Sequence, residues 1–202
     1  MDAITQVPLP VNEPVRSYAP GTAERARIAR VLDELAATPI EVGPVVGGER
    51  RSGSTVHEVR MPSDHATVLA RVRQAGAADA SAAVDAAQRA KAAWAATPFD
   101  ERAAVFLRAA DLLAGPWRDR LNAATMLGQA KTVQQAEIDA ACELIDFLRF
   151  NVAFARQLYA NQPISSPGVW NRTDYRPLDG FVYAITPFNF TAIAGNLPTA
   201  PA

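Results

Sequence analysis

Residues 132–161, "TVQQAEIDAACELIDFLRFNVAFARQLYAN", read as one long helix, and any fold for this chain has to make room for it. Thr132 and Gln135 form a capping box at its start, and at about 1.5 Å per residue the helix spans roughly 40 Å, the width of a domain. Ala136, Ala140, Glu143, Phe147, Phe150 and Phe154 recur at spacings of four and three, so they share one stripe. Cys142 falls on another apolar side with Ile138, Ile145, Leu148 and Val152. A helix interior without a nearby His or Lys gives a cysteine no reason to ionise, so Cys142 reads as a packed thiol and not as a nucleophile.

Glu143 lies among aromatics. Its helical neighbours are Asp139, Ala140, Asp146 and Phe147, so it has no basic partner on its own helix. If buried, its pKa rises through desolvation and the neighbouring acids, which makes it a candidate site acid; the alternatives are that it reaches solvent or pairs with an arginine from another element.

The remaining helices are set by their punctuation. "GTAERARIARVLDELAA" carries Ile28, Val31, Leu32 and Leu35 on one side; "DASAAVDAAQRAKAAWAA" stops before Pro98, "FDERAAVFLRAADLLAG" ends at Gly115, and "PWRDRLNAATMLGQA" follows. Between the first two, short runs separated by Gly, Ser and Pro read as a small antiparallel unit, with alternation clearest in "TVLARVR". After Pro163, "ISSPGVWNRTDYRPLDGFVYAIT" reads as two extended runs, the second an apolar strand over 181–185. Trp94, Trp117 and Trp170 read as packing or interface residues.

Composition narrows the function classes. With 49% hydrophobic residues in 202, the chain can bury a core, and a formal charge of -1 gives no electrostatic reason to expect nucleic acid or an anionic membrane as partner. The single cysteine excludes an internal disulfide, and His57 and His65 have no Cys or His neighbour at metal-ligand spacing, so no metal site is expected. The opening "MDAITQVPLPVNEPV" has neither a basic start nor an apolar stretch, and the expected location is cytoplasmic.

The end of the chain carries the chemistry. A short strand passing through Thr186 and Pro187 into "FNFTAIAG" has the form of the strand-to-helix junctions at which α/β proteins hold ligands. Asn189, between Phe188 and Phe190, either donates an amide N–H to a developing oxyanion or caps the helix that follows. No G-x-G-x-x-G is present, so a dinucleotide would be held without that fingerprint.

Taken together, "VVGGERRSG", "DASAAVDAAQRAKAAWAATPFDERAAVFLRAADLLAG" and "RPLDGFVYAITPFNF" resemble the N-terminal part of an aldehyde dehydrogenase, over roughly residues 45–202. "GQAKTVQQAEIDAACELIDFLRFNVAFARQL" and "TPFNFTAIAGNLPTAPA" resemble the branch that oxidises L-glutamate gamma-semialdehyde, the delta-1-pyrroline-5-carboxylate dehydrogenases. Most other branches have Trp for the first Phe of this turn, so "PFNF" followed by "AIAGNL" is a specific signal.

The resemblance implies an α/β chain with an incomplete Rossmann-like NAD-binding domain, a helical layer and a β-hairpin oligomerisation flap. The implied parts are an N-terminal arm and helix (1–44), strands then helices of the NAD-binding domain (45–162), the flap (163–180) and a strand-turn-helix of the NAD and catalytic site (181–202). It implies that Asn189 is the side-chain donor of the oxyanion hole and that Phe190 walls the aldehyde pocket. Ile185, Thr186, Pro187 and Phe188 line the nicotinamide side of NAD, and Glu143 is an acid near the pocket. It also implies a small aldehyde substrate, a homodimer or larger homo-oligomer, and proline dehydrogenase as a partner.

The family's nucleophilic cysteine, general-base glutamate and adenosine-ribose lysine have no counterparts in these 202 residues, so the chain by itself is expected to be inactive. Two other readings stay open: a short non-catalytic chain that uses the long helix and flap for assembly, and an aldehyde dehydrogenase of another branch.

Overall fold

A computed structural model describes residues 8–200. Helix α1 (Ala23–Ala37) starts at Thr22, whose hydroxyl accepts from the Arg25 N–H at 3.3 Å. Its expected apolar side is the one that packs: Ile28 is buried with Tyr18 and Ala123, and Val31, Leu32 and Leu35 lie against them. Helices α2 (Ala77–Ala96), α3 (Phe99–Ala114) and α4 (Arg118–Gln129) follow in series.

The long helix forms, with a defect that the 3.6-residue period did not reveal. It runs as α5 (Val133–Ala136), passes through a π-helical turn (Glu137–Cys142) and continues as α6 (Glu143–Ala160). The capping box closes in both directions: Thr132 accepts from the Gln135 N–H at 3.3 Å, and the Gln135 side chain accepts from the Thr132 N–H at 2.9 Å. A π turn inserts a residue into the helical register. The stripe read from the sequence therefore changes character along its length, from fully buried Ala136 and Ala140 to exposed Phe147 and Phe154. The face that packs is Leu144, Ile145, Leu148 and Val152. Leu144, Ile145 and Leu148 meet Ala110, Phe106 and Leu113 of α3, and burying each such side chain stabilises the fold by about 1.5–3 kcal/mol.

Strand β5 (Asp64–Arg73) pairs antiparallel with β4 (Val56–Met61), as expected, but also parallel with β1 (Ile40–Val42), in the order β1-β5-β4. The intervening chain allows the parallel pair, since it holds a separate hairpin of β2 (Val45–Val46) and β3 (Glu49–Arg50) as well as β4. At that hairpin's turn Gly47 and Gly48 have φ of 59° and 87°, the pair of positive values that a tight two-residue turn demands. The described residues thus form an α/β arrangement, with a helical layer and a three-stranded sheet.

The expected hairpin over 163–180 is only partly realised. The chain doubles back, but the closure uses side chains: Asn171 Nδ2 donates to the Ile164 carbonyl at 2.8 Å, and the Thr173 N–H donates to the Gln162 side chain at 2.8 Å. No backbone ladder forms there, nor does a strand over 181–185. A strand exists only when a neighbour takes up its N–H and C=O groups, and no described residue does so for 181–185.

Candidate active-site turn

Residues 185–190 form an irregular turn at the edge of the helical body. Ile185 is 74% and Phe188 97% exposed, and Asn189 is exposed beside them. The next helical turn, Ile193–Gly195, begins after Ala192 and has no side-chain cap, so the capping alternative for Asn189 does not hold.

The turn is tied down by the loop that ends α4. Gln129 Nε2 donates to the Phe188 carbonyl at 3.3 Å, and Lys131 Nζ donates to the Asn189 carbonyl at 2.9 Å. Between them Ala130 takes φ of 52°, a left-handed residue closing the helix. Lys131 also lies 4.6 Å from the centre of the Phe190 ring and makes an ion pair with Asp139.

Lys131 also acts on Glu143 through its charge. Burial first, and then the carboxylates of Asp139 and Asp146, push the Glu143 pKa above its ordinary value, while Lys131 acts in the opposite direction. The rise read from the helix spacing therefore holds, and the basic neighbour comes from outside the helix. Lys131 and Gln129 were missed in the sequence because a Gln and a Lys after a helix carry no periodic signal; only the local string "GQAKT" marks them.

Cys142 is buried, and its pKa is pushed up to about 11, chiefly by burial and then by the Glu137 carboxylate. It is a packed thiol, as the helix context indicated. It borders a charged cluster that binds residues 12–18 to the helices. Arg118 and Glu137 are fully buried and paired, with Arg118 Nε 3.2 Å from Glu137 Oε2. Glu137 also accepts from the Tyr18 hydroxyl at 2.8 Å, Asn122 Nδ2 at 2.7 Å and the Arg16 N–H at 2.7 Å. Arg118 pairs with Glu13 as well, and Glu13 with Arg149 at 2.6 Å. Burial pushes the Glu137 carboxyl up, but the bonds from Arg118, Arg16 and Tyr18 outweigh it, and the net shift is downward.

A family model described as the aldehyde dehydrogenase family matches residues 49–202. The chain belongs to the aldehyde dehydrogenase family. A Schizosaccharomyces pombe protein named as a probable delta-1-pyrroline-5-carboxylate dehydrogenase is 50% identical over 198 residues, which is 97% of this chain and 36% of that protein. The mitochondrial delta-1-pyrroline-5-carboxylate dehydrogenase of Emericella nidulans is 48% identical over 202 residues, 99% of this chain and 35% of that protein. Among solved structures, the Delta-pyrroline-5-carboxylate dehydrogenase of Mycobacterium tuberculosis bound with NAD superposes with a TM-score of 0.96 at 66% identity, covering 100% of this chain and 38% of that one. The chain spans a little over a third of the length of these aldehyde dehydrogenases.

The relatives correct one expectation. The cytoplasmic location read from the first residues is overturned by the Emericella nidulans protein and other eukaryotic relatives, which are named mitochondrial.

Proposed function

We propose that the protein containing these residues oxidises L-glutamate gamma-semialdehyde to L-glutamate with NAD, a step of proline breakdown. The observation that carries the reading is the likeness, over the whole of this chain, to the NAD-bound Mycobacterium tuberculosis enzyme. The open apolar surface of Ile185 and Phe188 beside Pro187 suits the flat face of a nicotinamide ring. The residues present thus fit that half of the cofactor, and Ile185, Thr186, Pro187 and Phe188 would hold it.

When bound, NAD supplies the acceptor for the hydride that leaves the substrate carbon. The attacking thiolate comes from a cysteine other than Cys142. As it adds to the aldehyde, negative charge grows on the carbonyl oxygen, and the Asn189 amide donates to that oxygen. Phe190 walls the pocket and limits water near the reacting carbon. Glu143, whose pKa is raised by burial and by the carboxylates of Asp139 and Asp146, is the acid near the pocket, available to a polar group of the substrate.

The same reading includes the four-part division of the chain, with 163–180 as the flap through which copies associate; Ile164 and Trp170, 92% and 77% exposed, support it. It also makes proline dehydrogenase the natural supplier of substrate, because oxidation of proline yields the cyclic imine that opens to the semialdehyde.

The test is to express the complete native reading frame and follow NADH formation. Turnover is expected with the semialdehyde in preference to aldehydes that lack its amino acid end. No turnover with the semialdehyde, or equal turnover with simple aliphatic aldehydes, contradicts the reading.

A further inference from the structure

Asn189 can serve as an oxyanion donor only if its side chain is well placed, and among the described residues no side-chain hydrogen bond of its own places it. The direction of its Cα–Cβ bond is set by the two peptide planes on either side of its Cα. The plane before it contains the Phe188 carbonyl, and the plane after it contains the Asn189 carbonyl. Those are the two oxygens held by Gln129 and Lys131, at 3.3 and 2.9 Å.

Lys131 is the stronger of the two anchors. Its ammonium is itself held by the Asp139 carboxylate, and the two side chains are only 19% and 22% exposed, so the pair is shielded from bulk solvent. A charged donor to a carbonyl is stronger than a neutral one. The same ammonium sits 4.6 Å from the centre of the Phe190 ring, so it also fixes the residue that follows Asn189. An ordinary surface ion pair would engage Asp139 and stop there; this one spends its remaining capacity on the turn.

We infer that Lys131 is a positioning residue, which with Gln129 fixes both peptide planes around Asn189 and so the point and direction from which its side chain reaches the reacting oxygen. The inference rests on the function proposed above and adds to it a residue outside the turn. Its effect belongs to the transition state: a loosened plane misdirects the donor, which lowers kcat while leaving KM for either substrate little changed.

The experiment uses the complete protein with Lys131→Met, Lys131→Arg, Asn189→Ala and the Lys131→Met/Asn189→Ala double variant. Lys131→Met lowers kcat by about 10- to 100-fold, as displaced groups do. Lys131→Arg keeps the charge, a donor and the ring contact, and recovers most of the rate. In the Asn189→Ala background, Lys131→Met has little further effect, because the group it aims is gone. Backbone mobility at 188–191, read by NMR relaxation, also rises in Lys131→Met, while that of α3 and α6 stays as in the parent.

Equal losses from Lys131→Met in both backgrounds, or unchanged backbone mobility at 188–191, overturn the inference. If the parent protein does not oxidise the semialdehyde, the functional reading fails, and the mobility measurement alone decides whether Lys131 holds the turn.

Discussion

Residues 12–18 and residues 185–190 are held against the helical layer in opposite ways. Residues 12–18 are bound through a buried charged cluster in which Arg118, Glu137, Glu13, Tyr18 and Asn122 satisfy one another, with Asn122 Oδ1 the one cluster atom lacking a partner among the described residues. Residues 185–190 are held at two backbone carbonyls, with Ile185, Phe188 and Asn189 left open. One end puts its side chains into stability; the other leaves them exposed, where the proposed function places a ligand. Substitutions at the two ends should therefore separate folding from chemistry.

The largest effect on folding is expected from Arg118→Met. It leaves Glu137 charged and buried without its partner, and the loss is about 3–5 kcal/mol by urea unfolding of the complete protein. A loss under about 1 kcal/mol would mean that the cluster opens to water and is no firmer than the exposed turn.

Acid should act on the same cluster. The folded-state pKa of Glu137 lies below its ordinary value, so the unfolded chain takes up the proton first as pH falls. The stabilisation is complete above the unfolded pKa of about 4.3 and is lost as pH drops through the folded value. Unfolding midpoints measured from pH 7 downward should decline below about pH 4.3, with a shallower decline in Glu137→Gln. Equal slopes would show that Glu137 does not control acid stability.

Tyr18→Phe keeps the ring and removes the hydroxyl that donates to Glu137 and accepts from Asn122, for a loss of about 1.5–3 kcal/mol. Thr132→Ala removes the cap that starts the long helix and is expected to cost about 1 kcal/mol. If Thr132→Ala proves the more harmful of the two, the helix start and not the arm is the critical joint.

Local features were the legible ones. The capping box of Thr132 and Gln135 involves residues three apart, and the acids that raise the Glu143 pKa lie on its own helix. The Arg118 to Glu137 pair joins two helices, and Tyr18 reaches Glu137 across 119 positions, so no periodicity exposes either contact. The π turn was hidden because an inserted residue leaves the apolar count unchanged and only shifts the register. The run over 181–185 has strand composition, but a strand also needs a neighbour, which composition does not supply. The turn itself was legible through "TPFNF", whereas Lys131 and Gln129, which hold it, act through backbone carbonyls and leave no trace in the turn's own residues.

The division between folding and chemistry is tested most directly by Asn189→Ala in the complete protein, with unfolding free energy and kcat measured on the same preparation. An exposed residue that caps no helix should leave stability within about 0.5 kcal/mol of the parent. Loss of an oxyanion donor should lower kcat for the semialdehyde by about 100- to 1,000-fold. A kcat near that of the parent, or a stability loss large enough to explain the missing activity, would contradict the account.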